Sequence, residues 1–351
     1  MIIAVLYALL IAAKAAMALR YSRRQPAASH APLTIVQPIL SGDPLLESTL
    51  RQNLKVHPNT QFLWMIDEDD SEAQRIADVL ARKNLRVALC PPPQNGENPK
   101  LAKLIRALHM VTTERLMILD DDTVFRGDLP TGALVTGLPV FTAQTTIYER
   151  LIGGFVNGSA LLTYLPAAQL KLQRTINGMI YSVDAAQLRA LGGFEAAGHE
   201  LTDDYAVARL YARSGLAITQ STAPAFVSMT VTTPTAYIRV MRRWMIFASR
   251  YFGDNATLAT FLWIALPGLL PLVGLVIAPL PWALLILAKA LINRLLLWRI
   301  THTRSTPVDL LFECLADVLT PLWMVLASIQ PNRLTWRSRK IDVENGVIRY
   351  R

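Results

Sequence analysis

LMILDDD, residues 116–122, is an apolar run of strand length that ends in three adjacent carboxylates. Around it lie similar short runs rich in β-branched and aromatic residues: LTIVQPI (33–39), TQFLWMI (60–66), LRVALC (85–90) and LPVFTAQ (138–144). Segments 44–56, 70–83 and 100–113 carry helical patterns between the first four strands. This alternation predicts an α/β domain with a mainly parallel sheet and helices on both faces. Ligands of such sheets collect at the carboxyl ends of the strands, and the acidic clusters of this chain fall there.

Asp120 and Asp122 form a D-x-D pair whose side chains, two residues apart, point the same way and can meet one metal ion. Mg²⁺ or Mn²⁺ suits such a pair, because it takes oxygen ligands and completes its shell with substrate phosphates. A solvated acidic turn is the alternative. A second cluster, Asp67-Glu68-Asp69-Asp70, follows the second strand. Part of it is expected to cap the next helix, while Asp67, nearest the strand end, is the candidate for contact with a nucleotide base or ribose. The third, Thr202-Asp203-Asp204-Tyr205, opens a helix over 203–214. Capping uses one carboxylate there, and the other is available as a general base toward an acceptor hydroxyl. Asn98-Pro99-Lys100 precedes a helix and is expected to bring either Lys100 or the helix N-terminus near phosphate. The five histidines (His30, His57, His109, His199, His302) show no metal spacing, and Cys90 and Cys314 indicate neither a disulfide framework nor a zinc site.

Composition places this domain beside a bilayer. Hydrophobic residues are 52% and charged residues 17% of 351, too apolar for an ordinary soluble globule and too polar for a chain that is membrane throughout. Residues 1–19, MIIAVLYALLIAAKAAMAL, are long enough to span and are followed by Arg20, Arg23 and Arg24. A positive flank after the segment favours a retained anchor with the rest of the chain in the cytosol over a cleaved signal peptide. From about 234 the sequence turns cationic and amphipathic, then strongly apolar: 258–278 and 280–298 read as a membrane hairpin. A third run, 308–329, carries Glu313, Asp317 and Pro321, and the basic residues beyond it favour a re-entrant or interfacial segment over a full crossing. The net charge of +9 is concentrated partly in Arg239, Arg242, Arg243 and Arg250, with Trp244 among them. Arg242-Arg243-Trp244 offers guanidinium groups to a pyrophosphate and an indole to the interface; an amphipathic helix on anionic lipid is the compatible alternative. LIGGFVNGSALLTYLP (151–166) is read as either the lining of an acceptor entrance or a buried core segment.

Taken in order, QPILSGDP (37–44), DEDD (67–70), Gly96 to Lys100, Asp120 to Asp122, NGM (177–179), GGF (192–194), TDDY (202–205) and LTWRSRK (334–340) resemble the family 2 glycosyltransferases. The likeness is closer to the ceramide glucosyltransferase branch, with its bacterial and hopanoid-glycosylating relatives, and covers nearly the whole chain. It implies a GT-A (Rossmann-like) α/β domain, a UDP-sugar donor, Mg²⁺ or Mn²⁺, and inversion at the anomeric carbon. By position, Asp67 is expected to bind the uridine, Asp120 and Asp122 the diphosphate through metal, and Asp204 to be the base. Asp203 stands where the family usually has Glu, and Gln37 where the branch usually has Lys. The family's closing Q/R-x-x-R-W motif is met by Arg243 and Trp244, with Val240 in the Q/R place.

The organisation expected is therefore an anchor (1–24), a cytosolic GT-A domain (32–233), an amphipathic interfacial region (234–256), a membrane hairpin plus third segment (257–330) and a basic tail (331–351). The activity implied is transfer of a sugar, glucose foremost, from a UDP-sugar to the hydroxyl of a membrane lipid such as ceramide, at a bacterial inner membrane with the catalytic domain facing the cytoplasm. Its site residues are Asp204, Arg243 and Trp244 for catalysis, and Asp67, Lys100, Asp120, Asp203 and Arg242 for substrate. The partners are the donor, the lipid acceptor and the bilayer, with no nucleic acid. UDP-N-acetylglucosamine or another UDP-sugar with a hopanoid or glycerolipid is the alternative pair. A processive polysaccharide synthase needs a longer transmembrane channel than these segments provide, and a non-enzymatic lipid-binding protein leaves three ordered acidic clusters unexplained.

Overall fold

The computed structural model describes residues 2–142, 145–197, 200–329, 333–336, 339–344 and 347–350. Ala143 and Gln144 of the 138–144 run, His199, and Arg337 and Ser338 of the 334–340 stretch lie outside the described residues. The chain forms two compact units, an α/β unit of residues 26–139, 174–230 and 332–351 and a helical unit of residues 1–25, 140–173 and 231–331.

The α/β unit begins as the alternation expected: β1 (Leu33–Ile39), α2 (Leu46–Val56), β2 (Gln61–Asp67), α3 (Ser71–Val79), β3 (Leu85–Cys90), α4 (Pro99–Met110) and β4 (Arg115–Leu119). After it come β5 (Thr123–Phe125), β6 (Leu134–Phe141), β7 (Ile180–Asp184), α6 (Ala185–Ala190), α7 (Asp203–Arg213) and β8 (Ile218–Val227). The eight strands form one sheet in the order β3-β2-β1-β4-β7-β6-β8-β5. Pairing is parallel from β3 to β4 and antiparallel for β4 with β7, β7 with β6, and β8 with β5. The sheet is thus mixed where a mainly parallel one was expected, because the chain returns through β7 against the direction of β4.

Period-two alternation divides the side chains of these strands between two cores. Val36, Leu63, Met65, Leu116, Ile118, Tyr181 and Val183 face the helices α4, α6 and α7. Ile35, Ile39, Phe62, Trp64, Ile66, Met117, Leu119 and Ile180 pack with α2 and α3 on the other face. The result is the three-layered α/β architecture that the alternation demanded. The same alternation sends Asp67 and Asp120 to the α4 side and Asp121 to the opposite one. A separate three-stranded antiparallel sheet, β9 (Arg333–Trp336), β10 (Arg339–Glu344) and β11 (Val347–Tyr350), closes the chain.

The helical unit contains α1 (Ile2–Ser22), α5 (Ile147–Gln169), α8 (Pro234–Asp254), α9 (Leu258–Thr260), α10 (Leu266–Ile277), α11 (Pro279–Thr301) and α12 (Pro307–Ile329), with a π-helical turn, Phe261–Ala265, joining α9 to α10. Among the described residues four helices are long and apolar enough to cross a membrane: Ile2–Ser22, Ile147–Gln169, Leu258–Ile277 and Pro279–Thr301. Outward-facing Leu6, Leu9, Val276, Ile277, Leu280 and Leu295 leave apolar surface of the kind a bilayer covers. The Gly-rich 151–166 stretch is part of a continuous helix, α5, and its glycines have a local reason. A Cβ at Gly154 would lie 2.4 Å from the Phe312 carbonyl oxygen, and one at Gly158 would lie 2.8 Å from Cγ of Glu313. Small residues four apart let the α12 backbone approach.

The three acids of α12, Asp309, Glu313 and Asp317, follow one another at four-residue spacing along one stripe. Each meets a cation of another helix: Asp309 lies 3.6 Å from Arg150, Glu313 accepts from Arg294 Nε at 2.6 Å, and Asp317 accepts from Lys289 at 2.5 and 2.6 Å. The charges that interrupt the apolar run are therefore matched inside the unit. Two chain segments are also latched there. Thr146 and Glu149 form a capping box at the start of α5, and Glu149 accepts from Val231 N at 3.1 Å, just before α8 begins.

Candidate active site

The candidate site of the α/β unit is assembled by the N-terminal turns of α4 and α7 and the end of β4. Asn98 is the N-cap of α4: its Oδ1 accepts from the Lys100 and Leu101 N–H groups, and its Nδ2 donates to the Glu200 and Leu201 carbonyls at 3.1 and 3.0 Å. One buried asparagine thus starts α4 and ties it to the segment entering α7. Pro99 at the first helical position fits the cap.

Lys100 then reaches from the sheet-facing side of α4 into three acceptors. Its Nζ lies 2.7 Å from Asp120 Oδ1 and 3.1 Å from Asp203 Oδ2, and donates to the Gly178 carbonyl at 2.8 Å. Burial opposes its charge, but Asp120 and Asp203 hold the ammonium well above the usual lysine range. Asp120 continues the β4–β7 ladder, donating its N–H to the Met179 carbonyl at 2.9 Å. The NGM turn therefore lies against the acidic strand end. Asp204 is half-buried in the first turn of α7. It takes N–H bonds from Tyr205, at 2.7 Å, and from Gly178. Burial, then repulsion from Asp203, push its carboxyl up to about 7. Gly178 permits the approach: a Cβ there would stand 3.0 Å from Asp204 Cβ and 3.1 Å from Oδ2.

The structure divides the aspartate trio by role. Asp121, on the opposite side of the strand, is buried and accepts from Leu40 N at 2.8 Å, fastening the end of β1. Asp122 accepts from the Thr123 hydroxyl at 3.0 Å. Burial and the Asp122 charge push the Asp120 carboxyl up, against the pull of Lys100. Two hard oxygen donors that repel each other at a strand end fit a divalent cation that a diphosphate would complete, so Asp120 and Asp122 would hold the metal. Among the described residues no cluster of three or more ligating His, Cys, Asp or Glu side chains occurs.

Asp67 is almost fully buried at the end of β2, with Lys103 Nζ 3.1 Å from its Oδ1. Asp70, from the same cluster, is the N-cap of α3 and also accepts from Ser41 N at 2.7 Å. Gln37, in the position where the resemblance leads one to expect Lys, is buried and accepts from Trp64 Nε1 at 2.9 Å. Arg242, Arg243 and Trp244 lie on α8 in the helical unit, where the Trp244 indole stacks on Phe155 of α5 with ring centroids 6.1 Å apart.

Sequence reasoning missed Lys103 and Tyr181. Their signals were present: Lys103 interrupts the apolar stripe of Leu101, Leu104, Ala107 and Leu108, and Tyr181 alternates with Val183 on the α4 face. Burial and Asp203 hold the Tyr181 phenol well above its ordinary range.

Two solved structures illustrate the likeness to known proteins. The mannosyltransferase PcManGT from Pyrobaculum calidifontis, in complex with GDP-Man and Mn²⁺, is 15% identical over 93% of this chain and 95% of its own, with a TM-score of 0.45. Glucosyl-3-phosphoglycerate synthase from Mycobacterium tuberculosis, in complex with Mn²⁺, UDP and phosphoglyceric acid, is 14% identical over 63% of this chain and 83% of its own, with a TM-score of 0.37. No curated protein matches the chain. The family model of glycosyl transferase family 21, the ceramide glucosyltransferase-like family, matches residues 1–348, and the chain therefore belongs to that family and is a glycosyltransferase.

Proposed function

We propose that this glycosyltransferase moves glucose from UDP-glucose to the hydroxyl of a membrane lipid of the ceramide type, with inversion at the sugar C1. The observation that supports it most is the meeting of Lys100, Asp120, Asp203 and Asp204 at the carboxyl end of β4, where an α/β sheet binds its ligand. Asp204, with its carboxyl near 7, is assigned as the general base that takes the acceptor hydroxyl proton as the oxygen attacks C1. Asp67 is assigned to the nucleoside, and Lys100 and Asp203 to fixing the donor side of the site. A divalent cation held by Asp120 and Asp122 would supply charge neutralisation to the departing diphosphate. Arg242 and Arg243 are assigned to the same diphosphate and Trp244 to the interface.

In this reading the helical unit lies in a bacterial inner membrane with the α/β unit on the cytoplasmic side. Its apolar helices then hold the lipid hydroxyl at the surface where the donor binds, replacing a bimolecular encounter. The test is sugar transfer by the detergent-solubilised chain across a panel of UDP-sugars and lipid acceptors, with and without Mg²⁺ or Mn²⁺, read by mass spectrometry. A metal-dependent monoglycosylated ceramide is expected. Transfer only to a hopanoid or glycerolipid would replace the acceptor, and polymer formation would replace the class. Asp204→Asn is expected to abolish transfer while UDP binding persists, and retained turnover would remove Asp204 as base.

A further inference from the structure

The geometry points to Lys103 as a positioning residue for the nucleoside half of the donor, acting through Asp67. This rests on the assignment of Asp67 to the nucleoside under the proposed function.

Lys103 occupies a core position. It is buried on α4 together with Leu101, Leu104, Ala107 and Leu108, which belong to the same apolar core as Leu63 and Met65. Its side chain is only 5% exposed and that of Asp67 2%. A buried ion pair of this kind is commonly replaced by well-packed apolar residues without loss of stability, so stability gives no sufficient reason for it. What the pair does is fix geometry. Lys103 Nζ donates to the carbonyl of Ile39, the last residue of β1, at 2.6 Å, and stands 3.1 Å from Oδ1 of Asp67, the last residue of β2. The ammonium is therefore pinned to one strand end while it holds the carboxylate of the neighbouring one, β1 and β2 being paired in parallel. The Asp67 carboxylate cannot turn without losing its buried cation.

The second lysine of the stripe sets the scale. Lys100 precedes Lys103 by three residues, about 4.5 Å along the helix axis, and binds Asp120 of the D-x-D pair. One helix face thus carries an ammonium for each assigned half of the donor: Lys103 behind the nucleoside carboxylate and Lys100 behind the diphosphate carboxylate.

Binding of uridine, of UDP, and of inorganic pyrophosphate with Mn²⁺ to the full-length detergent-solubilised chain separates the two. Lys103→Met is expected to weaken uridine and UDP by the same factor, about tenfold, and to leave pyrophosphate unchanged. Lys103→Arg is expected to recover part of the loss. Because Lys103 acts through Asp67, the Lys103→Met, Asp67→Asn double variant should bind uridine no more weakly than Asp67→Asn alone. A folded Lys103→Met chain with unchanged uridine and UDP affinity, or a double variant in which the two losses add, overturns the assignment. Equal weakening of pyrophosphate also overturns it, since that is what general loosening of the unit produces. If Lys103→Met does not fold, Lys103→Arg carries the test: uridine affinity below wild type with pyrophosphate unchanged supports the role, and unchanged uridine affinity refutes it. Wild-type binding of UDP alongside any of these refutations leaves the donor reading standing. Wild-type failure to bind UDP or uridine removes the donor reading itself.

Discussion

Gly178→Ala is a sharp test of the site because the added methyl meets Asp204 first. The new Cβ would stand 3.0 Å from Asp204 Cβ, 3.1 Å from Oδ2 and 3.2 Å from Cγ, so the carboxyl must give by a few tenths of an ångström. Gly178 does not sit in the left-handed region, so alanine imposes no backbone strain of its own. Misplacing a reacting group by 1 Å costs about 10²-fold in rate; on that scale a few tenths of an ångström at the base costs roughly three- to tenfold. The loss should fall on kcat, measured as glycolipid formed at saturating donor and acceptor, with UDP affinity and the unfolding temperature near wild type. A folded Gly178→Ala chain with kcat within about twofold of wild type would refute the placement of Asp204 at the reacting hydroxyl.

Two further outcomes follow from the charges. Burial and Asp203 raise the Asp204 carboxyl to about 7, and only the ionised form accepts a proton, so kcat/KM should rise about tenfold per pH unit below the inflection and level off above it; Asp203→Asn should move that inflection to lower pH, and a rate that falls as pH rises through neutrality rules out Asp204 as base. In the helical unit, Arg294→Met leaves the fully buried Glu313 without the guanidinium 2.6 Å away, a loss of about 3–5 kcal/mol. Thermal unfolding in detergent should show it, most of it should return when Glu313→Leu is added, and an unchanged transition refutes the matched stripe.

How far the chain could be read in advance followed the range of each cause. β1 and β3 occupy the residues their apolar runs marked, 33–39 and 85–90, because a short run rich in apolar and β-branched residues favours a strand locally, whether it is buried on both faces like β1 or largely exposed like β3. β5, three residues long, and β7 and β8 were not marked, since their pairing depends on partners distant in sequence. The trio at 120–122 was legible as a D-x-D pair, but the work of Asp121 was not, as it requires knowing that the Leu40 N–H ends β1 nearby. The glycines of 151–166 left that stretch open as an acceptor lining or a buried core segment, and their reason, the backbone of α12 around Phe312, lies some 150 residues away in the chain. The same holds for α12 itself: Asp309, Glu313 and Asp317 look like interruptions until Arg150, Lys289 and Arg294 are placed beside them.

Buried charge is arranged differently along α12 and at the end of β4. Along α12 each acid has its own cation, contributed by α5 or α11, so the stripe is electrically closed and its effect is to register the helices. At the end of β4 the Lys100 ammonium stands beside both Asp120 and Asp203, while Asp122 raises Asp120 and Asp203 raises Asp204. Carboxylates that repel one another at a strand end cost stability unless solvent, a neighbouring cation or a ligand relieves them. Under the proposed function this crowding of carboxylates, more than burial itself, assigns the chemistry to the α/β strand ends.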